Sequence, residues 1–560
     1  MNRNGRVVVI GFLASVLVGC GGDVKDPEDP TPTAPTYALT AEPYTTLQAV
    51  WRPTIPSEST TTAIAEGTLT AQDLDQFEAA GLGVTLEEGH PWVERNDLAP
   101  EYDPATAGDR RSLLYLWQSA DSQLIDEESP IRFEAFEEFY RPQGHLTTQV
   151  FEAHVRTARA INDRSGRPFD WAVMAGDLTD GSQRNEFIWF LTAVNGGVID
   201  PDSGADDDPV PGPGNDYNDP FFSDGLPVPW FAALGNHETQ YNGGFGILDD
   251  EIREAAASDA VYQSGWFTNG FRDGSTLNAE VRTEGPTPAD PERVPQRIGE
   301  ALELLFEADG EPQGHGLTAE DVAANRAYFS LRPIPDRPIR LITLQTVDPD
   351  AGIGAGAMGF MDDEQFAWLE AELTAADAAH ELIIILSHHR IEDIAGNSPI
   401  AGYELVATLA ASDGVVLHLT GHGHFNDGDP HSHDPESIAD FGYWELMVSS
   451  TLDFPMHSRI LEIVNDDNGY LSVYITNIGH NSPPGSLAHE GRSLAAAAKS
   501  FNGFYKADDL DAFWAKDSKF HNMLLRIPIP EAVQTELSQH DWPTRIESET
   551  TLMSLTAPSK

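Results

Sequence analysis

The stretch DWAVMAGDLTD, residues 170–180, decides the fold. Trp171 to Ala175 is a continuous apolar run; Gly176 follows, then two acids three residues apart, Asp177 and Asp180. An apolar run of this length suits a strand buried on both faces. The same form recurs in LLYLWQSADSQ (113–123), VPWFAALGNHE (228–238), ELIIILSHHR (381–390) and GVVLHLTGHGH (414–424). Each run ends in a polar cluster. Helical spacing separates several of them. Thr147 to Ile161 repeats apolar residues at that interval, with Thr147 or Thr148 as an N-cap, and Asp363 to Leu373 carries Phe366, Leu369 and Leu373 on one face. Strand and helix in alternation predict an α/β layered fold, with ligands gathered at the carboxyl ends of the strands.

Hydrolysis of a phosphate ester is served by two cations about 3.5–4 Å apart, which polarise the phosphoryl oxygens and acidify a bound water. Such cations take carboxylate, imidazole and amide-carbonyl ligands. The five clusters supply that set: Asp121 and Gln123, Asp177 with Asp180, Asn236 and His237, His388 and His389, His422 and His424. One histidine at a strand end is ordinarily a satisfied polar residue, but five such loops in one chain are not explained that way. Their order resembles the calcineurin-like metallophosphoesterase superfamily, over about residues 112–480. That family's Asp-x-His, Gly-Asp-x-x-Asp, Gly-Asn-His-Glu, strand-end His and Gly-His-x-His read here as Asp121-Ser122-Gln123, Gly176-Asp177-Leu178-Thr179-Asp180, Gly235-Asn236-His237-Glu238, His388-His389 and Gly421-His422-Gly423-His424.

The resemblance implies a four-layer α/β/β/α sandwich with two sheets face to face. It implies a first metal on Asp121, Gln123, Asp177 and His424, and a second on Asp177, Asn236, His388 and His422, with Asp177 bridging. His237 would stand beside the scissile phosphate as proton donor or charge stabiliser, and Asp180 would orient a ligand from behind. His388 is preferred to His389 because it comes first after the strand. The implied reaction is in-line attack on a phosphomonoester or phosphodiester by a hydroxide between two divalent metals. Gln123 departs from the family's usual histidine. Its carbonyl oxygen is a harder donor than imidazole and favours Mn²⁺, with Fe, Zn²⁺ and Mg²⁺ as alternatives. The same glutamine variant resembles the branch of manganese-dependent ADP-ribose/CDP-alcohol diphosphatases, which does not by itself assign a substrate. Arg390 stands where proline is common; it is read either as a contact to substrate phosphate or as a surface ion pair with Glu392 or Asp393. The competing function is a lipid-anchored surface or binding protein that keeps the fold with weak or no catalysis.

The chain has 33 Lys+Arg against 90 Asp+Glu, a net charge of −57, and no lysine between Lys25 and Lys499. Such a surface repels nucleic acid and anionic lipid and suits a salty medium. No Gly-rich cradle followed by Lys-Ser/Thr speaks for NTP-driven chemistry. The expected partner is a phosphorylated small molecule. Arg3 and Arg6 precede an apolar run, Val7 to Val18, too short to span a bilayer. Leu17-Val18-Gly19-Cys20 resembles a bacterial lipobox, and Cys20 is the only cysteine. Residues 1–19 are therefore read as a lipoprotein signal peptide, with lipid on Cys20 as the membrane anchor and the cell envelope, outer membrane favoured, as the location. Residues 20–36 read as a disordered tether, 37–111 as an N-terminal wrap, 112–480 as the catalytic domain and 481–560 as a C-terminal extension. Insertions fall at about 195–228, rich in Asp, Pro and Gly, and at 239–338, placed to cap the site. The acids of 200–225 match no EF-hand spacing and are read as a solvated loop, with structural Ca²⁺ as the alternative. His431 and His433 read as a polar loop, and Met523 to Ile529 as an edge strand.

Overall fold

The computed structural model describes residues 32–33, 45–70, 74–130, 141–164, 166–204, 210–244, 250–259, 288–348, 357–434, 437–503 and 520–544. Cys20, its leader and most of the tether lie outside these residues, as do 205–209, 245–249 and 260–287 of the two insertions. Among the described residues no helix is long and apolar enough to cross a membrane.

The strands are β1 (Ala49–Pro53), β2 (Val84–Glu88), β3 (Val93–Arg95), β4 (Arg111–Ser119), β5 (Trp171–Ala175), β6 (Gly197–Ile199), β7 (Phe221–Ser223) and β8 (Trp230–Ala233). They continue with β9 (Phe329–Leu331), β10 (Ile339–Thr343), β11 (Leu382–Leu386), β12 (Val415–Thr420), β13 (Asp427–Asp434), β14 (Ser437–Met447), β15 (His457–Asn465), β16 (Tyr470–Gly479) and β17 (Met523–Pro528). One sheet runs β3-β17-β16-β15-β4-β5-β8 and the other β13-β14-β12-β11-β10-β9; β1 with β2 and β6 with β7 form small pairs.

The apolar runs explain the layering. In β11 every residue is buried, and alternate side chains serve two different cores. Leu382, Ile384 and Leu386 join the core between the sheets, while Ile383 and Ile385 join a second core with Leu369, Leu373, Leu405 and Leu409. Those four leucines come from the helices Asp363–Ala378 and Gly402–Ala410, which cover the outer face of the six-stranded sheet. Each such side chain contributes roughly 1.5–3 kcal/mol on full burial. The first of the two helices is capped by Asp362, whose carboxylate accepts the Gln365 N–H at 2.7 Å. On the other side, Phe151 and Phe190 stack at 5.3 Å, joining Thr147–Arg164 to Arg184–Asn195 over the seven-stranded sheet. The two sheets touch directly: Gln118 of β4 donates to the Thr420 carbonyl of β12 at 3.4 Å, and Trp444 of β14 donates to the Arg526 carbonyl of β17 at 3.4 Å. This is the four-layer α/β/β/α sandwich.

Registry aligns the ends that matter. β4, β5 and β8 are parallel neighbours, as are β10, β11, β12 and β14. Their carboxyl ends therefore open on one edge of the sandwich. Two expectations change. Met523–Pro528 is not an edge strand, because the three-residue β3 pairs in parallel outside it. His431 lies in a strand, β13, not a loop; β13 is the outermost strand of its sheet, where Pro430 loses no needed ladder bond. The described part of the longer insertion sends Leu302, Leu305 and Leu317 into the main core.

A buried arginine ties the insertions down. The Arg293 guanidinium, 0 % exposed, reaches Asp126 at 3.0 Å, the Ser203 carbonyl at 2.8 Å and the Pro288 carbonyl at 2.5 Å, with Glu128 at 3.9 Å. The positive charge beside the described part of the acidic insertion is thus supplied by the chain itself.

Candidate metal centre

The five loops meet across the seam between the sheets. The β4 and β5 loops continue their strands' parallel pairing: Asp121 N–H donates to Gly176 O and Gln123 N–H to Asp177 O, both at 2.9 Å. Across the seam, the backbone N–H of His422 donates to both carboxylate oxygens of Asp121 at 3.0 Å. The Ser450 hydroxyl donates to the Asp121 carbonyl at 2.7 Å. Asp121, Gln123, Asp177, His422 and His424 all have positive φ, from 37° to 72°. A non-glycine residue held so costs on the order of 1–3 kcal/mol, and such strain collects at functional sites. Glycine is required beside them. A Cβ on Gly176, itself at φ 85°, would stand 2.6 Å from His388 Nδ1, and one on Gly235 would strike the Asp177 carboxylate.

Asp177, with a side chain 2 % exposed, is the hub. Its Oδ2 lies 3.1 Å from His388 Nε2, 3.3 Å from Gln123 Nε2 and 3.9 Å from His237 Nε2. Its Oδ1 accepts the His237 N–H at 2.9 Å. Asn236 Oδ1 is 3.0 Å from His388 Nε2. His424 Nε2 is 3.4 Å from Asp121 Oδ1. Asp121, Asp177 and His388 offer ligand atoms all within 4.8 Å of one another, and so do His388, His389 and His422.

Three imidazoles are aimed by their other nitrogen. His388 Nδ1–H donates to the Ala175 carbonyl and His237 Nδ1–H to the Asp180 carbonyl, both at 2.7 Å. His424 Nδ1–H donates to Asp453 Oδ2 at 2.8 Å. In all three the Nε2 is left to face the carboxylates. Asp180 also accepts from Asn242 at 3.1 Å. Glu392 at 2.9 Å, Asp429 at 2.5 Å and Asp427 at 3.4 Å engage the Arg390 guanidinium.

Two residues escaped the sequence reading. Glu238, the last letter of the third motif, accepts backbone N–H groups from Gly235 and Asp177 on one oxygen and Leu178 and Thr179 on the other, at 2.7–3.0 Å. It clamps the β5 and β8 loops together. Asp453, outside the five motifs, orients His424.

Charge is shared unevenly. Burial works against a proton on His388, but the Asp177 and Asp121 carboxylates overcome it and push it up to about 10. His424 is likewise raised to about 9 by Asp121 and Asp453 against its burial. Burial, with the charge of His388, lowers His422 to about 3. Burial also holds His389 well below the usual range. Asp177 stays ionised far below the ordinary carboxylate value, burial being outweighed by His388 and His237.

This donor set fits divalent cations. Carboxylates, amide oxygens and imidazole nitrogens converge, and Gln123 Oε1 is a buried acceptor with no hydrogen-bond partner. An orphaned carbonyl oxygen in such company is a ready ligand.

The calcineurin-like phosphoesterase family matches residues 145–426, half of the chain, and the chain belongs to that family of metal-dependent phosphoester hydrolases. Its fold is similar to that of a dimetal phosphatase from Danio rerio, at 12 % identity and a TM-score of 0.34 over 66 % of this chain and 99 % of that one. It is also similar to a purple acid phosphatase from yellow lupin (Lupinus luteus) seeds, at 11 % identity and a TM-score of 0.31 over 80 % of this chain and 57 % of that one. At that level neither likeness bears on substrate. No curated protein matches the chain in sequence.

Proposed function

We propose that this chain hydrolyses phosphomonoesters or phosphodiesters at a dinuclear centre. Asp121, Gln123, Asp177 and His424 would hold one cation, and Asp177, Asn236, His388 and His422 the other. The observation that carries this is the position of Asp177 Oδ2, in reach of Gln123 on one side and His388 on the other. Two divalent cations, Mn²⁺ before Fe, Zn²⁺ or Mg²⁺, would supply charge stabilisation and an acidified water. Asp177 holds the negative charge that keeps the halves together. His237, its Nδ1 fixed by the Asp180 carbonyl, presents Nε2 to the substrate side. As an imidazolium it donates that proton to the leaving oxygen or neutralises the charge developing there. Asp180, bonded to Asn242, keeps the His237 ring in register. His389 lies behind His388 and His422 as a lining residue. In this reading Gln123 replaces a nitrogen ligand with an oxygen and hardens the first position.

The test uses protein lacking residues 1–20, loaded with Mn²⁺, on a chromogenic phosphomonoester and diester. Hydrolysis should fall by roughly three orders of magnitude in Asp177→Asn, the size expected when cation-supplied charge stabilisation is lost. Undiminished turnover would refute the mechanism. Fewer than one metal per chain after reconstitution would favour the binding-protein reading. We further infer that Cys20 carries a lipid anchoring the chain to the cell envelope. Mass spectrometry of the N-terminal peptide should find the acylated cysteine, and an unmodified Cys20 would end that inference.

A further inference from the structure

The open side of the centre carries the scarce cations of an acidic chain. Asp121 and Asp177 are fully enclosed, while His424 is 17 % exposed in its side chain and Lys499 24 %. The centre is open on the His422–His424 side. On that side Arg141 lies between the two acids that aim the centre's imidazoles. Its Nη1 is 3.5 Å from Asp180 and its Nη2 3.5 Å from Asp453 Oδ2. Lys499 Nζ is 3.6 Å from the same Asp453 oxygen. Full charge-assisted hydrogen bonds run at about 2.7–2.9 Å, so Arg141 is held by charge without its donors being closely used. Its Nε is buried and has no hydrogen-bond partner. Arg390, two residues after His388, shows the contrast: three carboxylates, one at 2.5 Å, engage it.

Position in the chain adds a second argument. Arg141 precedes the family match at 145–426, and Lys499 follows it on the helix Leu487–Phe501. Neither belongs to the shared motifs. Both sit in a protein of net charge −57 whose lysines are absent from residue 26 to 498. An anionic substrate approaching such a surface meets two cations here, both beside Asp453 and one also beside Asp180.

We propose that Arg141 and Lys499 form an anion subsite that receives a second negatively charged group of the substrate, next to the phosphate held at the dinuclear centre. The proposal rests on the phosphoesterase reading above. It narrows the substrate class to compounds bearing two neighbouring anionic groups, such as a diphosphate.

The experiment is calorimetric binding to the Mn²⁺-loaded chain of two non-hydrolysable probes, methylphosphonate and methylenediphosphonate, with metal content measured on the same samples. The single phosphonate reports the dinuclear centre; the pair differs by one anion. Arg141→Ala should weaken methylenediphosphonate about tenfold, the loss of a charge-assisted contact, and leave methylphosphonate within about twofold. Lys499→Ala, at a more exposed position, should weaken it about threefold, and Arg141→Lys should recover part of the loss. Equal weakening of both probes, or loss of metal in Arg141→Ala, would assign Arg141 to holding Asp180 and Asp453 and overturn the subsite. If Arg141→Ala does not fold, Lys499→Ala decides alone, and unchanged selectivity there overturns it. Failure of wild-type chain to bind either probe would remove the dinuclear reading and the subsite with it. Binding without turnover would fault only the catalytic reading.

Discussion

The two sheets furnish the centre differently. The loops after β4, β5 and β8 of the seven-stranded sheet bring Asp121, Gln123, Asp177 and Asn236, all oxygen donors, with His237 beside them. The loops after β11 and β12 of the six-stranded sheet bring only imidazoles: His388, His389, His422 and His424. Their support is opposite in kind. The oxygen side is fixed by donors, since Glu238 gathers four backbone N–H groups around the Asp177 loop. The nitrogen side is fixed by acceptors, the Ala175 carbonyl for His388 and the Asp453 carboxylate for His424. One half is thus an anionic wall, and in the other the aim of His388 and of His424 depends on one acceptor each. The lesson is that loss of support should unfold the first half and misaim the second.

Glu238→Gln should break the comparison most visibly. An amide cannot accept on both ends, so two buried N–H groups lose their partner, a cost of about 2–4 kcal/mol. Denaturant unfolding should show it even without metal, and unchanged stability would mean the clamp is dispensable. Asp453→Asn should cost stability through its lost ion pairs with Arg141 and Lys499, and should also weaken metal binding about 10–100-fold, the usual effect of removing the carboxylate behind a ligating histidine. Chelator competition measures this, and equal affinity would show that His424 needs no orienting partner.

The smallest effect is graded and depends on pH. His388 and His424 are raised to about 10 and about 9, above the unfolded histidine value of about 6.5. In the metal-free chain their stabilisation is fully present below about pH 6.5 and is lost as pH climbs through about 9 to 10. Melting temperature of metal-free protein should therefore drift down across that range. A cation must displace those protons, so its apparent affinity should rise with pH, by up to about tenfold per unit for each proton released. Calorimetry in buffers of different ionisation enthalpy counts them; no proton release would contradict the charged state of the imidazole half.

The sequence made the strands legible because residues such as those of Leu382–Leu386 are buried on both faces and leave no polar alternation to confuse them. The motif residues were legible because each stands at the end of such a run. What escaped depends on approach between distant segments. Asp453 and Arg141 lie outside every motif, and their partners are set by how loops meet. Glu238 was in view within Gly-Asn-His-Glu, but no local signal says that a side chain will accept from a neighbouring loop's backbone. The positive φ of Asp121, Gln123, Asp177, His422 and His424 was hidden because none is glycine. β3 was missed because three residues carry too little pattern, and β13 because DGDPHSHD reads as a turn when its pairing is unseen.

Arg293 has a consequence for anyone reshaping this protein. Its one guanidinium joins Asp126 and Glu128, just past the first ligand loop, to Ser203 of the acidic insertion and Pro288 of the longer one. Trimming the longer insertion with its arginine would leave Asp126 and Glu128 unanswered, a defect of roughly 3–5 kcal/mol, and trimming the acidic one would take the Ser203 acceptors from a buried guanidinium. The insertions are therefore not independent modules. They are editable only as a knot, untied in one operation with the arginine replaced at the same time.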